Sequence, residues 1–560
     1  MAVAGPAERA LSALVERETG LRLEVERAAP GAPAEFRVDA READPAANPK
    51  DAARTLAKTL AEVPGIEAAL PIPPRVYLRP ADDLVVRAVT EAVAAEGDRY
   101  GRQPPLDEPM VFSIGCPNAN KPLHVGHLRN VFLGRAAAKL YETQGYDVTT
   151  TEELANFGIH VCQALVAYRR FGYETVPDRK KDHWVGSWYT RFHTERLAIA
   201  AYDDEVTELD AEASELLRRQ WAGDPDEVAL NERVTEWAIE GIRETYLRIG
   251  MRHDFVLREL EALPCAMALL DRALEHGVAL RRPDGSVYLD LSDVGLGEVT
   301  LLRRDGTPLS LVFFVAIWVR RAQLHPRGRV VRITGEQWRE SFTQFLEILR
   351  RLGHPEIADG TDGIWYGMIR SPDGKIRSRT GNEVSADALL DHFRDRFVSE
   401  WVSSPYGLET AERLAVALLT VFILGKRRED TITYDNELVW TETTPRLARL
   451  LAVLRLADDP PAAARAAEGR AARRAVLDLA LALNALPWVF TRAAARYDAS
   501  DVVTHADRVA RAALDCARRG VLDEALARAA GRVVRNALAA VAVALPSSAR
   551  ELPPSVATAR

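Results

Sequence analysis

The sequence contains few cysteines and no cysteine pattern that is typical of metal or disulfide sites. Only 4 of its 560 residues are cysteines, and no two of them form a CxxC pair. They are Cys116, Cys162, Cys265 and Cys516. We therefore expect neither a disulfide framework nor a structural zinc site, and we predict no metal ligands from the protein.

Signals for membrane insertion and export are also missing. No uninterrupted apolar run reaches the roughly 18 residues that span a bilayer. The longest candidate, LSLVFFVAIWV at 309–319, is typical of a buried strand or a short core helix. The first ten residues, MAVAGPAERA, lack a basic segment followed by an apolar one, which predicts no secretion signal. We expect a cytoplasmic protein with no membrane partner.

The chain has no excess of basic residues either. It carries 73 basic and 81 acidic side chains, for a formal net charge of -8. Proteins that bind nucleic acids often have a net basic field, so the total charge does not favour such a partner. A small basic face on an acidic protein would still bind phosphates, so the total charge does not exclude a nucleic-acid partner. The length predicts about three or four domains.

Patterns along the chain predict three regions. Residues 1–85 alternate helix, strand, helix and strand, which predicts a small α+β unit of βαβ type. In residues 86–390 a strand, a turn, a helix and a strand follow one another near 110–154, as in a parallel α/β sheet, and a largely helical insertion follows at 160–280. Residues 391–560 are rich in Ala, Leu and Arg at helical spacing, which predicts an all-helical bundle.

The strongest local motif is CPNANKPLHVGH at residues 116–127, where a strand enters a helix. Open α/β sheets bind their ligands at such points, and a helix N-terminus favours phosphate oxygens. Gly126 permits close approach of the backbone, and His124 and His127 are spaced to face one phosphate chain. A second motif, GKIRSRTGN at residues 374–382, is a cationic segment bounded by glycines. Either motif alone has a simpler interpretation, as a helix cap or as a solvated basic turn.

Together, in this order and at this separation, the two motifs resemble the HIGH and KMSKS motifs of class I aminoacyl-tRNA synthetases, in the form used by arginyl-tRNA synthetases. The resemblance covers nearly the whole chain. It implies a Rossmann-like nucleotide-binding catalytic domain, an N-terminal additional domain and a helical anticodon-binding domain. It also implies ATP with Mg²⁺, an amino acid and tRNA as the molecules that the chain binds.

The resemblance assigns roles to individual residues of this sequence. The expected catalytic residues are His124, His127, Lys375, Arg377 and Arg379. The expected ATP-binding residues are Asn118, Lys121, Gly126, Gly335, Glu336 and Ser378. The expected residues of the amino-acid pocket are Asn118, Asn156, Ser310 and Phe314.

The amino-acid pocket departs from the family pattern. Within the family, a strand that follows Asp-Gly-Thr carries a Tyr and, four residues later, an Asp, which recognise the guanidinium of arginine. Ser310 stands at the Tyr position here and Phe314 at the Asp position. Asn156 replaces another Asp that helps to hold the amino acid. Burying a guanidinium without its carboxylate costs several kcal/mol, on the order of 10² or more in affinity.

A helix that contacts tRNA in the family is also altered, at residues 441–455. Three functions therefore stay open. The first is arginine–tRNA ligase, by ATP-dependent activation of the amino acid and aminoacyl transfer. The second is a paralogue that activates a different amino acid and transfers it to a small molecule, a carrier protein or tRNA. The third is a non-catalytic pseudo-synthetase that binds tRNA or a protein, although the retention of both nucleotide motifs argues against it.

Overall fold

The computed structural model describes residues 3–29, 31–200, 206–326, 328–371, 374–375, 384–401, 407–461 and 464–546, with the backbone alone at 371 and 374–375. The helices are α1 (Pro6–Thr19), α2 (Pro49–Ala61), α3 (Asp82–Glu96), α4 (Val125–Thr143), α5 (Ile159–Phe171), α6 (Lys181–Ile199), α7 (Glu208–Trp221), α8 (Pro225–Arg248), α9 (Leu263–Glu275), α10 (Ser310–Leu324), α11 (Arg339–Arg351), α12 (Pro355–Asp359), α13 (Ala386–Glu400), α14 (Gly407–Leu424), α15 (Asn436–Asp458), α16 (Arg470–Asn484), α17 (Leu486–Arg496), α18 (Ser500–Arg518) and α19 (Glu524–Ala540). The strands are β1 (Glu26–Arg27), β2 (Phe36–Asp39), β3 (Ile66–Ile72), β4 (Arg75–Pro80), β5 (Pro109–Ser113), β6 (Asp147–Leu154), β7 (Phe255–Arg258), β8 (Leu280–Arg281), β9 (Val287–Asp290), β10 (Glu298–Leu302), β11 (Arg329–Gly335), β12 (Thr361–Tyr366), β13 (Ile369–Ser371), β14 (Gly374–Lys375) and β15 (Ile432–Thr433).

The first sheet has the order β1-β2-β4-β3. Both β2 and β3 pair antiparallel with β4, so these two strands run in the same direction on either side of it. Helix α2 connects them, which makes a split βαβ unit and confirms the α+β architecture predicted for this region. Helix α2 begins as its sequence predicts, because Asn48 Oδ1 accepts a hydrogen bond from the Lys50 backbone N–H at 3.0 Å.

The central sheet has five parallel strands in the order β12-β11-β5-β6-β7. The chain enters at β5, proceeds outward to β6 and β7, and then returns to β11 on the opposite side of β5. The direction of strand order therefore reverses between β5 and β11. In an open α/β sheet such a reversal leaves a crevice at the carboxyl ends of the strands, and ligands bind there.

The apolar segment at 309–319 lies in helix α10. Because this segment is apolar all round, periodicity alone could not separate a buried helix from a buried strand. The structure buries both faces: Phe313 packs on Phe157 with ring centroids 4.6 Å apart, and Phe314 packs on Phe345 at 4.5 Å. The expectation that Ser310 and Phe314 follow the Asp-Gly-Thr turn on a strand is therefore wrong, since both lie in α10.

The C-terminal part of the described chain, α13 to α19, is helical apart from the two-residue strand β15, as predicted. Helix α4 packs against α14, α17 and α19. The C-terminal helices therefore support the helix that begins within the CPNANKPLHVGH motif. The predicted domain boundaries at residues 85 and 390 fall inside α3 and α13, and the division into three domains stays a prediction. No single helix of the described residues is long and apolar enough to cross a membrane, although α16 and α17, bent by 45° at their junction, together meet that length and composition.

A buried carboxylate joins the helical insertion to the C-terminal helices. Asp387 on α13 is 9% exposed at its side chain and accepts bonds from four groups. Lys180 Nζ lies at 3.1 Å, His183 Nε2 at 3.1 Å, Thr245 Oγ1 at 3.1 Å and Arg248 Nη1 at 3.0 Å. Burial by itself raises the pKa of Asp387, but the hydrogen bonds and cations hold it well below its usual value.

Replacement of Asp387 by Ala is expected to lower the free energy of unfolding by about 3 kcal/mol, because two cations lose a buried partner. Urea unfolding, followed by circular dichroism, measures the change. Asp391→Ala is the matched control: Asp391 lies one turn further along α13, is 46% exposed, and pairs with Arg248 and Arg394. Its loss should cost less than about 1 kcal/mol. Equal losses in the two variants would contradict this account.

Candidate active site

The turn between β5 and α4 is held in an unusual backbone conformation. Gly115 has φ 101° and Cys116 has φ 68°, both in the left-handed region. A Cβ at position 115 would lie 2.6 Å from the Tyr246 hydroxyl oxygen and 2.8 Å from Glu152 Oε1, so only glycine fits. Burial raises the pKa of the Cys116 thiol, which is therefore neutral and is not a nucleophile at neutral pH.

Two histidines cap the N-terminus of α4. His124 is the residue before the helix, and its Nδ1 accepts a hydrogen bond from the Gly126 backbone N–H at 3.1 Å. His127 Nδ1 accepts one from the His124 backbone N–H at 3.2 Å. The two ring centroids lie 3.8 Å apart. The arrangement satisfies backbone donors at the helix end and holds both rings in fixed orientations.

The hydrogen bonds also determine the tautomer of each ring. Because each Nδ1 accepts a backbone N–H, the proton of a neutral ring lies on Nε2. Burial, followed by the nearby His124 and Lys121, lowers the pKa of His127 well below its usual value. His127 is therefore neutral at physiological pH, with Nε2–H as a hydrogen-bond donor.

A cavity of about 520 Å³ opens at the carboxyl ends of β5 and β11, beside the start of α4. Seven of the residues singled out by the resemblance line it, from both the nucleotide and the amino-acid sets. They are Asn118, His124, Gly126, His127, Ser310, Phe314 and Gly335. Lys121 lies in an adjoining cavity of about 340 Å³, whose lining also includes His124. The structure thus brings residues from separate parts of the sequence to one site.

Two other residues singled out by the resemblance lie outside the linings described for these cavities. Asn156 is buried, and its Oδ1 accepts a hydrogen bond from the Leu260 backbone N–H at 3.0 Å. Glu336 is 55% exposed and forms an ion pair with Arg339 at 2.7 Å. The roles predicted for these two residues stay predictions. The side chain of Asn156 makes a hydrogen bond to the backbone of its own chain.

The second motif is described only in part. The backbone of Lys375 forms β14, in which it pairs with Arg370 of β13. The side chain of Lys375 is not described, and Arg377, Ser378 and Arg379 lie outside the described residues.

Two polar residues of α4 that the sequence did not single out connect the site to its surroundings. Asn130 Oδ1 accepts a bond from the Gly115 backbone N–H at 2.7 Å, and its Nδ2 donates to the Ile333 carbonyl at 2.8 Å. It therefore fixes β5 to β11 at the reversal of strand order. Arg129 is 1% exposed and donates to the carbonyl of Met368, just before β13, at 3.1 Å. Both residues lie within one turn of the end of the first motif. A polar residue in a helix that is otherwise buried is the sequence feature that could have indicated them.

A buried ion pair that the sequence patterns do not predict lies in the lining of the same cavity. Arg332 Nη1 donates to Glu153 Oε2 at 2.7 Å, and both side chains line the cavity. Arg332 interrupts the apolar strand VVRITG, which was the only signal in the sequence. Glu259 lines the same region, and burial raises its pKa to about 8, against the opposing effects of the Phe157 backbone N–H and Arg332.

Comparison with known proteins places this geometry in a family. Residues 89–404 match the family described as tRNA synthetases class I (R), catalytic domain. A protein named arginine–tRNA ligase from Treponema pallidum subsp. pallidum is 30% identical over 436 residues, 74% of this chain and 72% of that protein. One of the same name from Treponema denticola is 32% identical over 389 residues, 66% of this chain and 65% of that protein.

Solved structures resemble the fold over almost the whole chain. Thermus thermophilus arginyl-tRNA synthetase superposes with a TM-score of 0.68 at 19% identity, covering 96% of this chain and 98% of that one. Arginyl-tRNA synthetase from Plasmodium falciparum gives a TM-score of 0.67 at 12% identity, covering 98% and 100%. At these identities the likeness concerns the fold.

Gly126 and His124 provide a test of the cap geometry. A Cβ on Gly126 would lie 2.9 Å from His124 Cε1 and 3.0 Å from Nδ1, so the ring must move. We expect Gly126→Ala to lower the free energy of unfolding by about 1–2 kcal/mol in the native background. In a His124→Ala background the same change should stabilise by up to about 1 kcal/mol, since alanine favours a helix over glycine. A double-mutant cycle by urea unfolding measures both. An equal cost in the two backgrounds would show that the ring is not the reason for the glycine.

Proposed function

The chain belongs to the class I (R) tRNA synthetase family, and on this premise we propose that it activates an amino acid with ATP and transfers it to tRNA, the type of reaction that the name arginine–tRNA ligase states. The observation that carries the proposal is the pair of histidine rings that cap the start of α4, beside the cavity at the reversal of strand order. The membership favours a ligase over a non-catalytic binding protein. We also propose that the protein is cytoplasmic.

The triphosphate of ATP is proposed to bind against the N-terminus of α4. Helix N-termini carry partial positive charge and attract phosphate oxygens. The Nε2–H groups of His124 and His127 add two donors that do not need a proton from solvent. Asn118 and Gly335 line the same cavity, and Lys121 lines the adjoining one, from which it is proposed to neutralise phosphate charge. Glu336 and Ser378 are proposed to complete the nucleotide site.

The chemical step is an in-line displacement at the α-phosphorus. An oxygen of the amino-acid carboxylate attacks, the bond from the α-phosphorus to the oxygen that bridges it to the β-phosphorus breaks, and pyrophosphate leaves. No general base is needed, because the carboxylate is already ionised at neutral pH. The task of the protein is to orient the reactants and to stabilise charge on the leaving group, with Mg²⁺ arriving on ATP. Lys375, Arg377 and Arg379 are proposed to supply that positive charge.

The strands that include the backbone of Lys375 are tethered to helix α4. Strands β13 and β14 pair with each other, and β13 pairs with β15. Buried Arg129, two residues after His127, donates to the Met368 carbonyl before the hairpin and to the Arg428 and Asp430 carbonyls before β15. The same helix that presents the imidazoles thus anchors the segment with the proposed transition-state lysine, which supports a joint role for the two motifs.

The tRNA contact is proposed on local basic faces, because the whole chain is acidic. Residues 441–475, which contain several arginines, are the candidate for one such face. Two arginines of α15, Arg446 and Arg449, lie 3.8 and 2.8 Å from Asp507, and Arg474 of α16 pairs with Glu35 at 3.1 Å. Positive charge in this segment is therefore partly neutralised within the chain. Contacts there would position a tRNA without reading its sequence.

Lys375→Ala is expected to reduce the rate of ATP–pyrophosphate exchange by roughly 10²–10³, since one donor that stabilises the leaving group is lost. The assay follows label from pyrophosphate into ATP with the best amino acid and total tRNA present. Lys58→Ala, an exposed lysine of α2, is the control and should leave the rate unchanged. A normal rate in the Lys375 variant would contradict the proposed role. Absence of exchange in the native protein, with every amino acid, would refute activation itself.

A further inference from the structure

The amino-acid side-chain subsite contains an arginine of the chain itself. We define this subsite as Glu153, Glu259, Ser310, Phe314 and Arg332, which all line the cavity. The Arg332 guanidinium lies over the Phe314 ring, with Cζ 4.7 Å from the ring centroid. Phe314 is the position at which the resemblance expects a carboxylate for the substrate guanidinium. A guanidinium of the protein therefore occupies the neighbourhood in which a substrate guanidinium was expected.

Arg332 is fixed there by its Nη1, whose two N–H groups are shared among three acceptors. Its Nη1 donates to Glu153 Oε2 at 2.7 Å, to Ser113 Oγ at 3.0 Å and to Cys116 Sγ at 2.9 Å. The side chains of Arg332 and Glu153 are 12% and 3% exposed, so the ion pair lies away from solvent. The stacking on Phe314 and Trp318 adds a second restraint on the guanidinium plane. Such a group does not leave the subsite readily.

The charge of the two subsite carboxylates is already offset before a ligand binds. Glu153 is neutralised by Arg332, and Glu259, whose pKa burial raises to about 8, is mainly the neutral acid at pH 7. The subsite therefore carries no net charge. A substrate cation would meet Arg332, and a substrate anion would meet Glu153, both at low dielectric where like charges repel strongly.

The remaining lining suits an uncharged side chain. Leu311, Ile317 and Phe342 contribute apolar surface to the cavity. Glu153 Oε1 is buried without a hydrogen-bond partner among the described residues and is able to accept one from a ligand.

We propose that Arg332 determines specificity by excluding cationic side chains, so that the subsite takes an amino acid with an uncharged side chain and rejects arginine. The inference rests on the proposed function, amino-acid activation at this cavity. It concerns the identity of the amino acid and leaves the chemical step and tRNA as acceptor unchanged.

ATP–pyrophosphate exchange with each of the twenty amino acids, with and without total tRNA, tests the inference on the native chain. We expect exchange with an uncharged amino acid, and rates with arginine and lysine at least about 100-fold lower. Arginine as the best substrate would overturn the inference and leave the proposed function intact. Exchange with aspartate or glutamate alone would also overturn it. Absence of exchange with all twenty, while ATP still binds, would refute the proposed function and the inference with it.

Variants of Arg332 test its charge directly by isothermal titration of arginine in the presence of a non-hydrolysable ATP analogue. Arg332→Met removes the guanidinium and leaves Glu153 free to pair with a substrate cation. We expect arginine affinity to rise at least about 10-fold over the native chain. Arg332→Lys keeps the charge and should still reject arginine. Weak arginine binding in both variants, with native circular dichroism, would contradict the role of the charge.

Arg329→Met is the matched control for these variants. Arg329 starts the same strand, but its side chain is 59% exposed and pairs with Asp362 at 2.6 Å, away from the cavity. The control should bind arginine no better than the native chain does. A gain equal to that of Arg332→Met would show that the effect does not arise in the subsite.

Discussion

The capped N-terminus of α4 is the constraint on which the rest of the site depends. His124 and His127 use their Nδ1 atoms to satisfy backbone N–H groups of the helix, which leaves Nε2–H as the donor on each neutral ring. The same cap requires glycine at 126, because a Cβ there would overlap the His124 ring. A single local arrangement thus explains the helix start, the tautomers and the glycine within one motif.

Helix α4 also connects the elements that the proposed reaction needs. Asn130 joins the ends of β5 and β11, between which the strand order reverses, and Arg129 holds the backbone that leads into the Lys375 hairpin. Both residues act through backbone groups, so they are positioning residues. The cavity, the imidazoles and the hairpin are therefore supported by one helix, which is itself packed against the C-terminal helices. Movement of this helix would disturb every part of the site together.

Much of the fold could be predicted because it rests on local patterns. The Asn48 cap, the strand-turn-helix at the first motif and the helical C-terminal region each follow from residues close in sequence. The Arg332–Glu153 pair could not be predicted, since its partners lie 179 positions apart and either residue alone reads as a misfit in a buried strand. Helix α10 was ambiguous because it is apolar on every face. The resemblance predicts Asn156 in the amino-acid pocket, but the Oδ1 of its amide accepts a hydrogen bond from the Leu260 backbone.

The two parts of the cavity differ in the chemistry of the residues that line them. The part that we propose to bind ATP is lined by residues that the resemblance predicts, while the part that we propose to receive the amino-acid side chain contains an ion pair and the Phe314 ring. A crystal structure with MgATP tests the central claim most directly, because it locates the triphosphate relative to α4. The account predicts phosphate oxygens within hydrogen-bond distance of Nε2 of both His124 and His127. A triphosphate bound away from α4, or rings that present Nδ1 to it, would contradict the account.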